Sequence, residues 1–227
     1  MDGPTATMPA PKLTAYIDLV SPFAYLAFQR VQRSPLRGHT DFVPAFLSGI
    51  MAATANQPPL AVPLKGAYVF HDLKRQAARY DIPLRADGKP KNFPVSTLYA
   101  LRVLCALPDD ETRVAVTAKL YEAFWVHGRE IEREDVVDEI VERALGRDAW
   151  QQVRPRIATI GKKKLRENTE EAVSKGAFGM PWFVGRFPCP PDAARKMDVL
   201  TECGQCPTPA ARKMCIGVSI ISTRWLG

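Results

Sequence analysis

Short segments of β-branched and aromatic residues stand on either side of a long stretch of helical periodicity. The first, residues 13–20 (LTAYIDLV), predicts a strand. It ends at Ser21 and Pro22, and because serine is favoured at a helix N-cap and proline at the first helical position, a helix is predicted to begin there. Residues 40–47 (TDFVPAFL) predict a second strand, so this part of the chain forms a βαβ unit with parallel strands.

Apolar side chains recur at helical spacing through most of residues 48–168. Near the end of this stretch, Asn168 with Glu171 three residues on predicts a capping box for a helix that ends near Gly176. Residues 178–184 (FGMPWFV) return to strand character. This order predicts an α/β fold in which a helical block is inserted into a small parallel or mixed sheet.

The composition is that of an ordinary soluble globular protein: 227 residues, of which 46% are hydrophobic and 24% charged. It excludes collagen-like, low-complexity and wholly disordered chains, and no apolar run reaches the roughly 18 to 20 residues of a membrane span. Residues 1–11 predict a disordered leader without a targeting signal. We therefore expect a soluble intracellular protein of the cytoplasm, with no membrane insertion.

Of the net charge of +7, residues 186–227 carry +3 and the rest of the chain carries +4, spread thinly. The one basic run is Lys162, Lys163 and Lys164. Nucleic-acid-binding proteins usually concentrate basic residues on a recognisable module with aromatic side chains for base stacking. No such module is evident, so no nucleic-acid partner is expected. A basic surface attractive to anionic small molecules is the simpler interpretation.

The junction between the first strand and the first helix is the candidate site. Ligands of open α/β sheets bind beyond the carboxyl ends of the strands, and a helix N-terminus there favours a bound anion or thiolate. Ser21 fits this position, although a serine that serves only as an N-cap fits equally well. Pro181 could follow a cis bond and leave the Met180 backbone free to pair with an extended peptide; an ordinary proline at a strand edge is the alternative.

Four motifs resemble the kappa-class glutathione transferases and the related bacterial 2-hydroxychromene-2-carboxylate isomerases. They occur in the family's order and spacing and are residues 16–27 (YIDLVSPFAYLA), 56–59 (NQPP), 65–74 (KGAYVFHDLK) and 169–181 (TEEAVSKGAFGMP). The resemblance implies a DsbA-like fold. A thioredoxin-like domain is then expected at residues 12–47 and 169–227, with an all-helical domain, residues 48–168, inserted into it.

The resemblance also implies how the site works. Oxidoreductases of this fold carry Cys-x-x-Cys at the junction, but residues 21–24 are SPFA, so disulfide exchange there is excluded for lack of a thiol. Ser21 is implied to hydrogen-bond the sulfur of glutathione, the co-substrate, and to stabilise its thiolate for attack on a small electrophile. The other implied glutathione contacts are Pro22, Phe23, Asn56, Lys65, Met180 and Pro181. No metal is implied.

Alternatives stay open at several levels. A glutathione-dependent isomerase would use the same thiolate for reversible addition and rotation about a double bond. An inactive homologue would keep the fold without its γ-glutamyl site. Asn56 could be only a turn residue before two prolines, and Lys65 only a solvated charge. The resemblance further implies a homodimer, and it allows a mitochondrial or peroxisomal location that no signal in this sequence supports.

Beyond Val184 the resemblance stops, and the chain becomes rich in proline and cysteine. No Ser-Asp or Asn-Asp pair for a γ-glutamyl group is evident there. We expect residues 186–227 to be atypical, the product of a retained intron or a frameshift. A zinc site is a weaker alternative, because a lone Cys-x-x-Cys with irregular outer spacing matches zinc-site patterns poorly. The cysteines concerned are Cys189, Cys203, Cys206 and Cys215.

Overall fold

The computed structural model describes residues 12–186, so the predicted leader, the proline- and cysteine-rich tail and the alternative zinc site lie outside the described residues. The elements follow the predicted order of a βαβ unit, a helical block and a returning strand. They are β1 (Lys12–Ile17), α1 (Pro22–Gln32), β2 (Thr40–Pro44), α2 (Leu47–Ala53), α3 (Pro63–Arg79), α4 (Leu98–Ala106), α5 (Asp110–Tyr121), α6 (Glu134–Leu145), α7 (Arg147–Val153), α8 (Lys162–Ser174) and β3 (Trp182–Arg186). Two π-helical turns, Glu122–Val126 and Ile157–Gly161, follow α5 and precede α8.

The sheet of the described part has the strand order β2-β1-β3. β1 and β2 are parallel, with Ile17 opposite Pro44, and α1 makes the crossover that a parallel pair requires. β3 runs antiparallel to β1, with Trp182 opposite Tyr16. The sheet is therefore mixed, and the predicted α/β fold is confirmed.

Alternation along β1 sends its side chains to two separate cores. Ala15 and Ile17 belong to the main core, which joins the sheet to α1 and the helical block. Tyr16 points to the other face and packs in a smaller cluster that includes Ile50 of α2 and Trp182. Lys12 is exposed and Thr14 is half-buried, so the first half of β1 alternates. Both faces are buried from Ala15 to Ile17, and there the sequence is continuously apolar.

Aromatic side chains dominate the contact between α1 and the helical block. Tyr25 and Phe28 of α1 lie 5.4 Å and 5.3 Å from Tyr121, measured between ring centroids. Trp125 stacks against Tyr25 and donates its indole N–H to the Leu19 carbonyl at 3.0 Å. These contacts hold the helical block against the segment that connects β1 to α1.

Several element boundaries differ from the prediction, among them the start of β3 at Trp182, four residues after the predicted start at residue 178. β1 ends at Ile17 and β2 at Pro44, each three residues earlier than expected. α8 begins at Lys162, so Asn168 lies inside the helix and the predicted capping box is wrong. The Asn168 side chain instead donates to the Pro44 carbonyl at 2.9 Å and ties α8 to the end of β2.

No helix within residues 12–186 combines the length and the apolar character that a membrane crossing needs. The division of the chain into a thioredoxin-like and an inserted helical domain stays a prediction.

Candidate active site

Ser21 caps the N-terminus of α1 beyond the carboxyl end of β1. Its backbone is extended, and its side-chain oxygen accepts a hydrogen bond from the Ala24 N–H at 3.2 Å. The same hydroxyl donates to the Met180 carbonyl at 3.0 Å. Only 3% of Ser21 is exposed. The structure therefore brings together the two halves of the site that the sequence predicts, and Ser21 does more than cap its own helix.

Met180 precedes Pro181 through a cis peptide bond, just before β3 begins at Trp182. The half-buried Met180 side chain packs against both cores, and Pro181 is buried. The pairing of β3 with β1 starts at Trp182, which leaves the Met180 carbonyl to Ser21. An extended peptide laid across the N-terminus of α1 would therefore meet the Met180 backbone as well.

Asn56 lies beside the same loop. Its side-chain amide donates to the Phe178 carbonyl at 2.6 Å, and its side-chain oxygen accepts from the Gln57 N–H at 2.8 Å. Phe178 stands two residues before Met180, so Asn56 ties the segment after α2 to the loop that carries the Met180 carbonyl. Asn56 is thus more than a turn residue.

The remaining predicted residues divide into two groups. Pro22 and Phe23 form the first turn of α1; Pro22 is buried, and Phe23 packs half-buried against the main core. Lys65 is exposed in the first turn of α3, and within residues 12–186 its side chain has no hydrogen bond or ion pair. The contacts of the described residues therefore connect Ser21 to Met180 and Phe178 to Asn56, but they do not connect Lys65 to this cluster.

Asp18 is a fully buried carboxylate that the sequence analysis did not single out. One of its oxygens accepts hydrogen bonds from the Thr97 hydroxyl at 2.6 Å and the Val20 N–H at 3.1 Å. The other oxygen accepts from the Leu47 N–H at 2.8 Å. The Asp18 carbonyl also accepts from the Ser21 N–H at 3.1 Å. Asp18 thus joins the end of β1, the start of α2 and the residue before α4 around the backbone of Ser21.

Burial raises the pKa of Asp18 above the ordinary carboxyl value, and its hydrogen bonds oppose that shift. The same carboxylate explains why both parallel strands end early. Val20 and Leu47 donate their N–H groups to Asp18 instead of continuing the sheet. The signal in the sequence is an aspartate inside an apolar run, which must find donors if it is buried.

Cys105, on α4, has no place in this cluster. It is a buried free cysteine whose sulfur lies 3.9 Å from the Pro44 carbonyl. Burial raises the pKa of the Cys105 thiol to about 12. A thiol with so high a pKa is not a nucleophile near neutral pH, so Cys105 is not a candidate nucleophile.

Comparisons with known proteins match this architecture. Residues 12–186 match the family described as the DSBA-like thioredoxin domain. Glutathione S-transferase kappa 2 of Caenorhabditis elegans is 30% identical over 174 residues, which cover 74% of this chain and 77% of that protein. Glutathione S-transferase kappa 1 of Rattus norvegicus is 29% identical over 185 residues, which cover 76% of this chain and 80% of that protein.

A solved structure of 2-hydroxychromene-2-carboxylate isomerase shares the fold, with a TM-score of 0.64 at 24% identity over 75% of this chain and 83% of that chain. The resemblance drawn from the four sequence motifs is thereby confirmed, together with the DsbA-like fold that it implies. With a family match over residues 12–186 and relatives that align over three quarters of their own length, the chain belongs to the kappa-class glutathione S-transferase family, built on a DsbA-like thioredoxin domain.

Proposed function

We propose that the protein is a kappa-type glutathione transferase that stabilises the glutathione thiolate for attack on a small electrophile. The observation that carries the proposal is the Ser21 hydroxyl, which stands at the N-terminus of α1 and is hydrogen-bonded to the Met180 carbonyl. The curated relatives named glutathione S-transferase kappa support the same activity.

The glutathione sulfur would lie at the N-terminus of α1. The partial positive charge of this 11-residue helix and a hydroxyl donor both favour the thiolate over the thiol. They therefore lower the pKa of the bound thiol from its ordinary value of about 8.5 toward neutrality. The thiolate forms the new C–S bond, and the protein forms no covalent bond with either substrate.

Binding requires an exchange of hydrogen bonds at Ser21. A serine hydroxyl carries a single proton, and here the Met180 carbonyl accepts it. When glutathione binds, Ser21 turns that proton to the sulfur. The Met180 carbonyl is then free to accept the N–H of the cysteinyl unit, so one internal hydrogen bond is replaced by two to the ligand.

The other proposed contacts follow from the same placement. Pro22 and Phe23 in the first turn of α1, and Pro181 across from them, would frame the sulfur. Asn56 would hold a polar part of the tripeptide or the loop that binds it. Lys65, an exposed cation, suits one of the glutathione carboxylates.

A glutathione titration of the full chain, followed by calorimetry and thermal melting, tests the proposal. At a concentration one hundred times the Kd, a ligand that binds only the folded state stabilises it by about 2.7 kcal/mol, which raises the Tm of a protein of this size by roughly 5 to 10 °C. The same tripeptide with alanine in place of cysteine is the matched ligand and should bind more weakly. A folded protein that binds neither peptide would support the inactive alternative.

Asn56→Ala is expected to raise the KM for glutathione by about fivefold while kcat falls less. The substitution removes a hydrogen bond that positions the loop of Met180, and such a bond contributes about 1 kcal/mol. Initial rates at varied glutathione concentration measure the effect. Asn92→Ala is the control, because Asn92 is an exposed asparagine bonded at 3.4 Å to Glu132, away from this loop. Equal kinetics for both variants would remove Asn56 from the site.

Product analysis separates the transferase from the isomerase alternative, because only the transferase yields a glutathione conjugate. The homodimer and the cytoplasmic location stay predictions.

A further inference from the structure

We propose that a second cavity, separate from the Ser21 site, binds an amphipathic carboxylic acid, meaning a small acid with an aliphatic or aromatic body. Its volume is about 720 Å³, within the range of about 300 to 1,000 Å³ that is typical of ligand pockets. It lies between α2, α4, the π-helical turn Ile157–Gly161 and α8. None of the residues proposed to bind glutathione is among those that line it.

The walls of the cavity are apolar. Leu165, Thr169 and Val173 recur every four residues and form one stripe of α8. Phe46 and Leu98 line the cavity from the start of α2 and of α4. A ligand that fills this space therefore gains from burying an apolar body.

Cations surround the apolar walls. The charged residues that line the cavity are Arg102, Lys162, Lys163 and Arg166, against the single carboxylate Glu170. Arg166 faces Glu170 at 3.7 Å in an exposed pair that contributes little. Lys163 faces Glu167 at 3.8 Å in a second exposed pair. The side chains of Arg102 and Lys162 have no hydrogen bond or ion pair within residues 12–186. The charge of the cavity is complementary to an anion.

Arg102 selects the position of that anion. Its Nε atom is buried and has no hydrogen-bond partner among the described residues. The buried Nε cannot itself meet a ligand in the cavity, but the two terminal nitrogens of the Arg102 guanidinium are neither enclosed nor paired within residues 12–186. A carboxylate can accept two parallel hydrogen bonds from them. A neutral lipid would leave this group unpaired, whereas a small inorganic anion would leave the apolar walls unfilled. An acid with an apolar body pairs with the guanidinium and also fills the space between the apolar walls.

The wall that carries Arg102 is tightly built. A Cβ atom at Gly161 would lie 2.3 Å from the Arg102 carbonyl, so the π-helical turn packs directly on α4. Turns of this kind are frequent at functional sites. The close contact fixes the backbone of Arg102 at the edge of the cavity.

Calorimetric titration with decanoate, with decanol as the uncharged ligand of equal chain length, tests the proposal on the full chain without glutathione. We expect saturable decanoate binding and at least tenfold weaker decanol binding.

Arg102→Met should weaken the binding of decanoate about tenfold or more and leave the binding of decanol unchanged, because it removes a charge-assisted hydrogen bond. Lys162→Met, an exposed substitution that spares the core, should weaken decanoate several-fold. Thr159→Trp, at an exposed lining position, should block both ligands.

Arg143→Met is the matched control, because Arg143 is an exposed arginine of α6 that does not line the cavity. Absent decanoate binding, equal affinity for decanol, or an equal loss in Arg143→Met would each overturn the proposal. Displacement of decanoate by glutathione would place the acid at the Ser21 site and overturn it as well. Decanoate binding that weakens as the protein concentration rises would mean that a second copy of the chain fills the cavity, and would overturn the proposal.

Discussion

Replacement of Ser21 with alanine is expected to lower the conjugation rate by about 100- to 1,000-fold, the usual effect of removing one donor that faces a developing or stabilised anion. The variant keeps α1 and its partial charge but loses the hydroxyl that donates to the sulfur. The pKa of bound glutathione should therefore rise back toward the value of the free thiol, about 8.5. Initial rates and the ultraviolet absorbance of the thiolate, both followed against pH, measure the two effects.

The same substitution also affects stability, so a matched control is needed. Ser21→Ala removes an N-cap, which costs about 1 kcal/mol, and leaves the Met180 carbonyl without its donor. Ser34 offers the same geometry away from the site, since its hydroxyl accepts from the Leu36 N–H at 3.2 Å and donates to the Val31 carbonyl at 2.9 Å. Ser34→Ala should lower stability slightly without a change in rate.

Ser21→Thr keeps the hydroxyl and should retain part of the activity, which separates loss of the donor from loss of the fold. An unchanged rate in Ser21→Ala, with the variant folded, would remove Ser21 from the mechanism.

Local signals in the sequence were sufficient to predict how Ser21 is placed. Serine followed by proline after an apolar run predicts a helix start at the end of a strand, and the structure has that arrangement. Local signals could not predict the contact of Met180 with Ser21, because the two residues lie 159 positions apart, on either side of the helical block. The family resemblance supplied that link, since it put both segments in one site.

Asn168 and Asp18 show where local signals fail. Asn168 with Glu171 has the spacing of a capping box, but the side chain finds the Pro44 carbonyl instead, and the helix runs through it. The oxygens of Asp18 accept from Leu47 and Thr97, which lie 29 and 79 residues further along the chain. These hydrogen-bond partners are set by tertiary packing, so hydrophobic periodicity and helix-cap patterns could not predict them.

Asp18→Ala is expected to destabilise the protein by about 3 kcal/mol, which lowers the Tm by roughly 6 to 12 °C. The carboxylate accepts from Thr97, Leu47 and Val20 inside the protein, and alanine leaves these donors buried without an acceptor. Relief of the buried charge offsets part of the loss. Thermal and urea unfolding measure the difference.

Surface and partner variants make this prediction specific. Asp135→Ala removes an exposed carboxylate paired with Arg133 and should change stability by less than about 0.5 kcal/mol. Thr97→Val removes one donor at constant shape and should cost about 1 kcal/mol. If Asp18 acts through Thr97, the double variant will lose less than the sum of the single losses. Additive losses would contradict the role assigned to that hydrogen bond.

The pH dependence of stability distinguishes Asp18 from a merely well-packed residue. Burial raises its pKa, so between the ordinary carboxyl value of about 4 and the higher folded value the folded state holds a proton that the unfolded state has released. Stability therefore falls as the pH rises through that window and levels off above the folded pKa. Asp18→Ala abolishes this contribution, so the stability gap between parent and variant should narrow as the pH rises through the same window. A stability gap that is constant with pH would mean that Asp18 has an ordinary pKa.

The Asp18 backbone carbonyl also accepts a hydrogen bond from the Ser21 N–H. The folded Asp18→Ala variant should therefore bind glutathione more weakly than the Asp135→Ala variant does.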